Sequence, residues 1–259
     1  MKRGFSIFVL LAMLVSISPN QILAQDINRQ KVNDIIGSIK KKLPVKTANG
    51  GTIENIEIVN GYVVMTSSYM SIYDSNGKSR SRSRGESFIE IAKSQSSHQL
   101  YGEFANAGLG LKMVAFFKKQ NSKEEITLSA KEILRMISYP AESYDYLLNS
   151  VREARKGLPI HVAQGMSTTA IEFGLEELIY INDVDENQYS IDALNSNLTN
   201  QKNNMLAQLS VGTSDLLPLV KMAISAGYGL TFDYIGKTSK MHAKMTLSFA
   251  ELSKHVNSH

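Results

Sequence analysis

Cysteine is absent from all 259 residues. That excludes a disulfide framework, a thiolate metal site and a lipid-attachment cysteine. After the N-terminal region no segment approaches the ~20 consecutive apolar residues that a membrane-spanning helix needs. A strong charge imbalance is also missing, since 28 Lys and Arg face 24 Asp and Glu for a net charge of +4. Overall charge therefore names no partner, and nucleic acid is not expected. The five histidines, His98, His161, His242, His255 and His259, form no His-Glu-x-x-His. Only His255 and His259 have a helical metal-pair spacing, and they lie at the C-terminal end. No cofactor and no metal are expected.

What is present begins with an address. Lys2 and Arg3 precede an apolar run from Phe5 to Ile17, and Ile22-Leu23-Ala24 offers a small residue for cleavage before Gln25. This is the layout of a secretory signal peptide over residues 1–24. Two of the basic residues and none of the acidic ones lie in it, so the charge falls from +4 to +2 on its removal. The remaining chain suits a soluble exported protein of the bacterial periplasm, large enough for one large domain or two small ones.

The chain is organised by a stretch that occurs twice. Ala107-Gly108-Leu109-Gly110-Leu111 leads to Ile126-Thr127-Leu128-Ser129 and Glu132, and 119 residues later Ala226-Gly227-Tyr228-Gly229-Leu230 leads to Met245-Thr246-Leu247-Ser248 and Glu251. Upstream the copies are related by 115 residues: Pro44 matches Pro159, Gly50 matches Gly165, and Val63-Val64-Met65 matches Leu178-Ile179-Tyr180. Such regularity marks an internal duplication. Apolar positions at helical spacing (Val32, Ile36, Ile39 and Leu43; Leu147, Val151, Ala154 and Leu158) open each copy, and a proline then stops the helix. Two hairpins follow, separated by one or two helices, and each Ser-x-x-Glu is a capping box that starts a closing helix. The expected fold is α+β, a tandem duplication of an αββα(α)ββ unit with antiparallel sheets. Repeat A covers residues 25–138 and repeat B residues 139–259, divided at Tyr139-Pro140. No Pro/Gly/Ser-rich linker separates them, so the repeats are expected to pack together.

Leu158-Pro159, Met166-Ser167 and Gly229-Leu230-Thr231-Phe232-Asp233-Tyr234 carry a further pattern. It resembles small exported bacterial proteins of unassigned activity, built on a Leu-Pro…Gly-x-Leu-x-Phe-x-Tyr repeat. Cysteines common in such proteins are absent here. The resemblance covers each repeat and implies an envelope accessory protein, and it assigns no functional residue.

The search for chemistry yields little. Asp183-Val184-Asp185-Glu186-Asn187 begins like a calcium loop, but Gln188 replaces the glycine at the sixth position and Leu194 the glutamate at the twelfth. It reads as a solvated turn. Ser38-Ile39-Lys40-Lys41 and Ser75-Asn76-Gly77-Lys78 match Ser-x-x-Lys without the companion motifs of acyl enzymes. Gly108-Leu109-Gly110 follows a helix and opens a strand, which is the reverse of a phosphate loop. The unusual feature is Lys78-Ser79-Arg80-Ser81-Arg82-Ser83-Arg84, which repeat B lacks. If extended, it places Lys78, Arg80, Arg82 and Arg84 on one side, as a docking site for an anionic polymer or an acidic protein surface would. Tyr62, Tyr69 and Tyr73 lie nearby and fit strand packing equally well.

Composition and motifs together favour a non-catalytic, exported interaction protein of the inhibitor or immunity type, whose partner is another envelope or secreted protein. A small-ligand binder using the groove between repeats is the alternative. An envelope hydrolase using Glu172 or Asp183 is disfavoured, because the sequence nominates no nucleophile, base and orienting group together.

Overall fold

The computed structural model describes residues 19–47, 50–73, 79 and 82–256, with side chains from residue 27 onward. The proposed leader up to residue 18, and Lys78 and Arg80 of the basic run, lie outside these residues.

The first copy runs α1 (Pro19–Lys40), β1 (Val45–Lys46), β2 (Thr52–Val59), β3 (Tyr62–Tyr69), α2 (Arg84–Ala92), α3 (Gln95–Asn106), β4 (Gly110–Phe117), β5 (Ser122–Leu128) and α4 (Ala130–Ile137). The second runs α5 (Ala141–Lys156), β6 (Ile160–Ala163), β7 (Met166–Phe173), β8 (Glu177–Val184), α6 (Ile191–Ser210), α7 (Leu217–Ser225), β9 (Gly229–Gly236), β10 (His242–Leu247) and α8 (Phe249–Val256). The element order is the same twice, as duplication requires. Shared details follow the shared offsets: the Leu43-Pro44 and Leu158-Pro159 bonds are both cis, and Gly108 and Gly227 have φ of 74° and 73°. That positive φ ends the preceding helix, and a side chain there would be strained.

Each copy builds a five-stranded sheet, in the order β1-β2-β3-β4-β5 and β10-β9-β8-β7-β6. Three of the four pairings in each are antiparallel, while β3–β4 and β8–β9 are parallel. The class is α+β with largely antiparallel sheets, as expected, and each sheet holds one parallel pair. The parallel pair arises because the two hairpins of a copy are joined by helices, and a helical crossover brings strands back in the same direction. Sequence reading also omitted β1 and β6, which have two and four residues and are exposed throughout. Without a buried face they carry no alternation to read.

The chain forms two compact units that do not coincide with the two copies. Unit 1 comprises residues 1–80 with 99–134, and unit 2 comprises 81–98 with 135–259. In unit 1, Val32 and Ile36 of α1 are buried with Ile56, Val63, Phe104, Leu111 and Leu128. Asn28 donates to the Asn106 carbonyl, and Lys31 pairs with Glu103 at 2.6 Å. Unit 2 takes in α2, whose Phe88, Ile89 and Ala92 are fully buried. Phe88, Tyr144, Tyr228 and Phe173 form a run of edge-to-face rings with centroids 6.1–6.4 Å apart. A second cluster, Val184, Ile191, Leu198, Ala243 and Met245, seats α6 on β8 and β10.

Alpha2 reaches sheet β6–β10 at a specific place. Beyond Thr168, β7 has no register partner in β6, so its edge carbonyls need other donors. The Arg155 guanidinium supplies one, donating to the Ile171 carbonyl at 2.8 Å. Gly85 lies against the next part: a Cβ there would come 1.8 Å from the Phe173 carbonyl oxygen.

Candidate functional site

The described end of the basic run sits at the head of α2. Ser83 is its N-cap and accepts from the Glu86 amide, so the segment turns helical where an extended strand would have continued. Arg84 is the first helical residue and is exposed. Arg82 pairs with Glu90 at 3.2 Å, and Glu90 also takes Lys93 at 3.2 Å and Arg152. Burial disfavours ionisation of Glu90, but Arg82, Lys93 and Arg152 outweigh it and hold the carboxyl below the ordinary range. Lys93 lies 3.9 Å from Asp145, and Arg155 pairs with Glu86 at 2.7 Å. Four cations thus share three carboxylates. A groove of about 430 Å³ opens here, lined by Ser83, Glu86, Arg155, Leu158 and the outer side of β7 from Thr169 to Glu172.

A second opening, of about 500 Å³, is lined by Arg135, Tyr139, Leu175, Glu176, Glu177, Gly227, Thr246, Ser248 and Phe249. Arg135 is tied down, donating through Nη1 to the Gly227 carbonyl at 3.1 Å and through Nη2 to that of Leu175. Its guanidinium lies over Phe88 and Tyr228, and its Nε is 3.6 Å from Glu176 Oε1. Tyr139 and Phe249 meet edge to face at 5.6 Å. Gly227 is obligatory beneath them, because a Cβ there would lie 2.3 Å from the Tyr139 ring. Glu177 accepts from Thr231 Oγ1, which is itself 2.8 Å from Thr246 Oγ1. The Ser248–Glu251 capping box borders the opening: Glu251 accepts from the Ser248 amide and hydroxyl, and its own amide donates back to Ser248 Oγ. Lys202, with these serine donors, holds the Glu251 carboxyl down at about 2. Ser129 and Glu132 repeat the box at the start of α4. The serines are therefore helix caps.

The outer face of sheet β6–β10 gathers polar residues that the sequence left apart. His161, Ser167, Asp183, Ile235 and His242 stand opposite one another on successive strands, so they share one face. Ser167 Oγ and His161 Nδ1 are 2.8 Å apart. No spacing in the sequence gives His161 a partner, and the β6–β7 register supplies one. Serine stands between histidine and aspartate, whereas nucleophilic catalysis needs the carboxylate on the imidazole's far nitrogen. Asp183 instead accepts weakly from Thr169 at 3.4 Å. Asp233, buried on the same face, pairs with His242 at 2.9 Å and Lys244 at 3.1 Å. The acidic loop is a turn: Asp185 accepts from the Asn187 amide, and Glu186 accepts from the amides of Thr238 and Ser239. The Ser239 hydroxyl, together with those two amides, holds the Glu186 carboxyl below the ordinary range. Glu172, the other carboxylate considered for hydrolysis, is exposed at the rim of the first groove.

Among the described residues no helix is long and apolar enough to cross a membrane, and no three His, Asp or Glu side chains are placed to share a metal ion. No family model and no curated protein matches the sequence. One crystal structure is similar in part, that of a Pseudomonas aeruginosa protein supposed to be secreted. The alignment covers 43% of this chain and 93% of that one at 12% identity, with a TM-score of 0.35. A score that low carries no argument about fold or function.

Proposed function

We propose that this chain is an exported, non-catalytic accessory protein that docks on an acidic surface of another envelope or secreted protein. Export rests on the leader-like residues 1–24. Docking rests on one observation, the clustering of cations where the basic segment enters α2. Glu90 already serves Lys93 and Arg152, so Arg82 is a third cation on one carboxylate. Arg84 follows in sequence and is exposed, and Lys78 and Arg80 precede it in sequence. The second copy builds the same sheet without such a segment, so the fold does not require it. Local field then dominates in a chain whose net charge is near zero.

The test replaces Lys78, Arg80, Arg82 and Arg84 together by Gln. Melting temperature should hardly change, because exposed ion pairs contribute little and Glu90 keeps two partners. Retention on immobilised poly-glutamate, and capture of any partner from envelope extract, should drop and should weaken steeply with salt in the wild type. Retention that ignores both the substitutions and the salt would leave the segment a solvated loop. The non-catalytic reading has its own check: a fluorophosphonate probe should leave Ser167 unlabelled, and labelling that depends on His161 would revive the hydrolase.

A further inference from the structure

The two copies share a sheet register and depart from it chemically at one spot. Tyr62 and Glu177 are counterparts, each opening the third strand of its sheet and pairing with the glycine that opens the fourth, Gly110 or Gly229. In unit 1 the Tyr62 ring closes over Gly110, where a Cβ would lie only 2.5 Å from it. In unit 2 a carboxylate stands in place of that ring, Glu176 stands in place of Gly61, and Phe249 in place of Ala130. The position filled in one copy is the 500 Å³ opening of the other.

The one cation lining this opening, Arg135, already has a carboxylate within ion-pair distance. Glu176 faces Arg135 Nε, whose other nitrogens are spent on carbonyl oxygens, and Glu251 sits on the N-terminus of α8. Glu177 makes no ion pair among the described residues, and only the Thr231 hydroxyl donates to it. One carboxylate is in surplus beside the rings of Tyr139 and Phe249. Aromatic faces attract cations, and a partly buried carboxylate does so more strongly. We infer that this cleft is a binding site for an alkylammonium group, as presented by a lysine side chain or a small amine. A carboxylate or phosphate ligand would instead meet the unmatched charge of Glu177. The site is separate from the basic segment, and the quadruple Gln variant should bind the same probes as the wild type.

Two probes, n-butylammonium chloride and Nα-acetyl-lysine-N-methylamide, would be titrated into the 15N-labelled protein. Saturable shifts are expected at the amides of Gly227, Thr246 and Phe249, with sodium chloride at equal ionic strength producing none. Glu177→Gln, which keeps the Thr231 contact, should weaken binding about tenfold. Glu177→Tyr rebuilds the unit 1 arrangement and should abolish binding while leaving the melting temperature close to wild type. Tighter binding of the lysine derivative would assign the group to a protein side chain, and tighter binding of butylammonium to a free amine. Shifts that fail to saturate with either probe, equal shifts with sodium acetate, or undiminished binding by Glu177→Gln would each overturn the assignment.

Discussion

At the scale of single residues, spacing in the sequence and geometry in the fold agree wherever the cause is local. Ser-x-x-Glu needs only one helical turn to be meaningful, and both boxes form. Ser129→Ala and Ser248→Ala should each cost about 0.5–2 kcal/mol of unfolding free energy without altering probe or partner binding per folded molecule. A normally melting variant that had lost all binding would return these serines to chemistry. Gly85 is the contrary case. Nothing around it in sequence asks for glycine, since it lies in the first turn of α2 and lacks a positive φ. Its reason is the Phe173 carbonyl, 1.8 Å from where a Cβ would be. Backbone on both sides cannot yield as a flexible side chain would. Gly85→Ala should therefore displace α2 and cost about 1–3 kcal/mol, read from denaturant midpoints at constant m. His161 belongs with Gly85, because its serine partner is settled by strand register and no sequence pattern announces it.

At the scale of elements, helices and hairpins with a buried face were legible from periodicity. The cap of α3 falls to Ser94, whose hydroxyl accepts from the Ser97 amide. The packing address of an element was legible least. Phe88, Ile89 and Ala92 say that α2 is buried, but an apolar face does not say against which sheet. Alpha6 shows how polar contacts complete such an address. Its Lys202 reaches Glu251 at the start of α8 at 2.7 Å, and Ser210 meets His255 at 2.6 Å further along the same helix. The Glu251 carboxyl is held at about 2, below its ordinary 4.5, with Lys202 the leading cause. A depressed carboxyl contributes stability that is fully present above its unfolded value and disappears as pH falls through the folded one. Both side chains are substantially exposed, so solvent and salt reduce the effect. Lys202→Gln should accordingly melt below wild type at pH 6, with the gap closing between pH 4.5 and 2 and narrowing in high salt. A gap that is constant with pH would place the contribution of Lys202 in packing alone.

At the scale of the whole molecule, the duplication in sequence and the division in space cut the chain at different points. Repeat B as a stretch of sequence begins at Tyr139, yet unit 2 also needs residues 81–98 and Arg135. From the first copy come Phe88 of the edge-to-face ring run, Glu90 as partner of Arg152, Glu86 as partner of Arg155, and Gly85 against the β7 edge. Removing α2 would uncover Tyr144 and leave Arg152 and Arg155 without their carboxylates. The cleft inferred to bind an ammonium group has the same dual origin, since Arg135 closes the first copy while Tyr139, Glu177 and Phe249 belong to the second. That origin is why neither copy read by itself shows a site. A fragment of residues 139–259 should therefore fold poorly, despite holding a complete sheet and four helices. Its far-ultraviolet circular dichroism should melt broadly, and its amides should exchange fast. A peptide of residues 81–98 added in trans should restore a cooperative transition whose midpoint rises with peptide concentration, because a ligand of the folded state stabilises by mass action. The Gly85→Ala peptide should do so much less well. A fragment that melts sharply unaided, indifferent to the peptide, would show that α2 is only an appendage of the second unit.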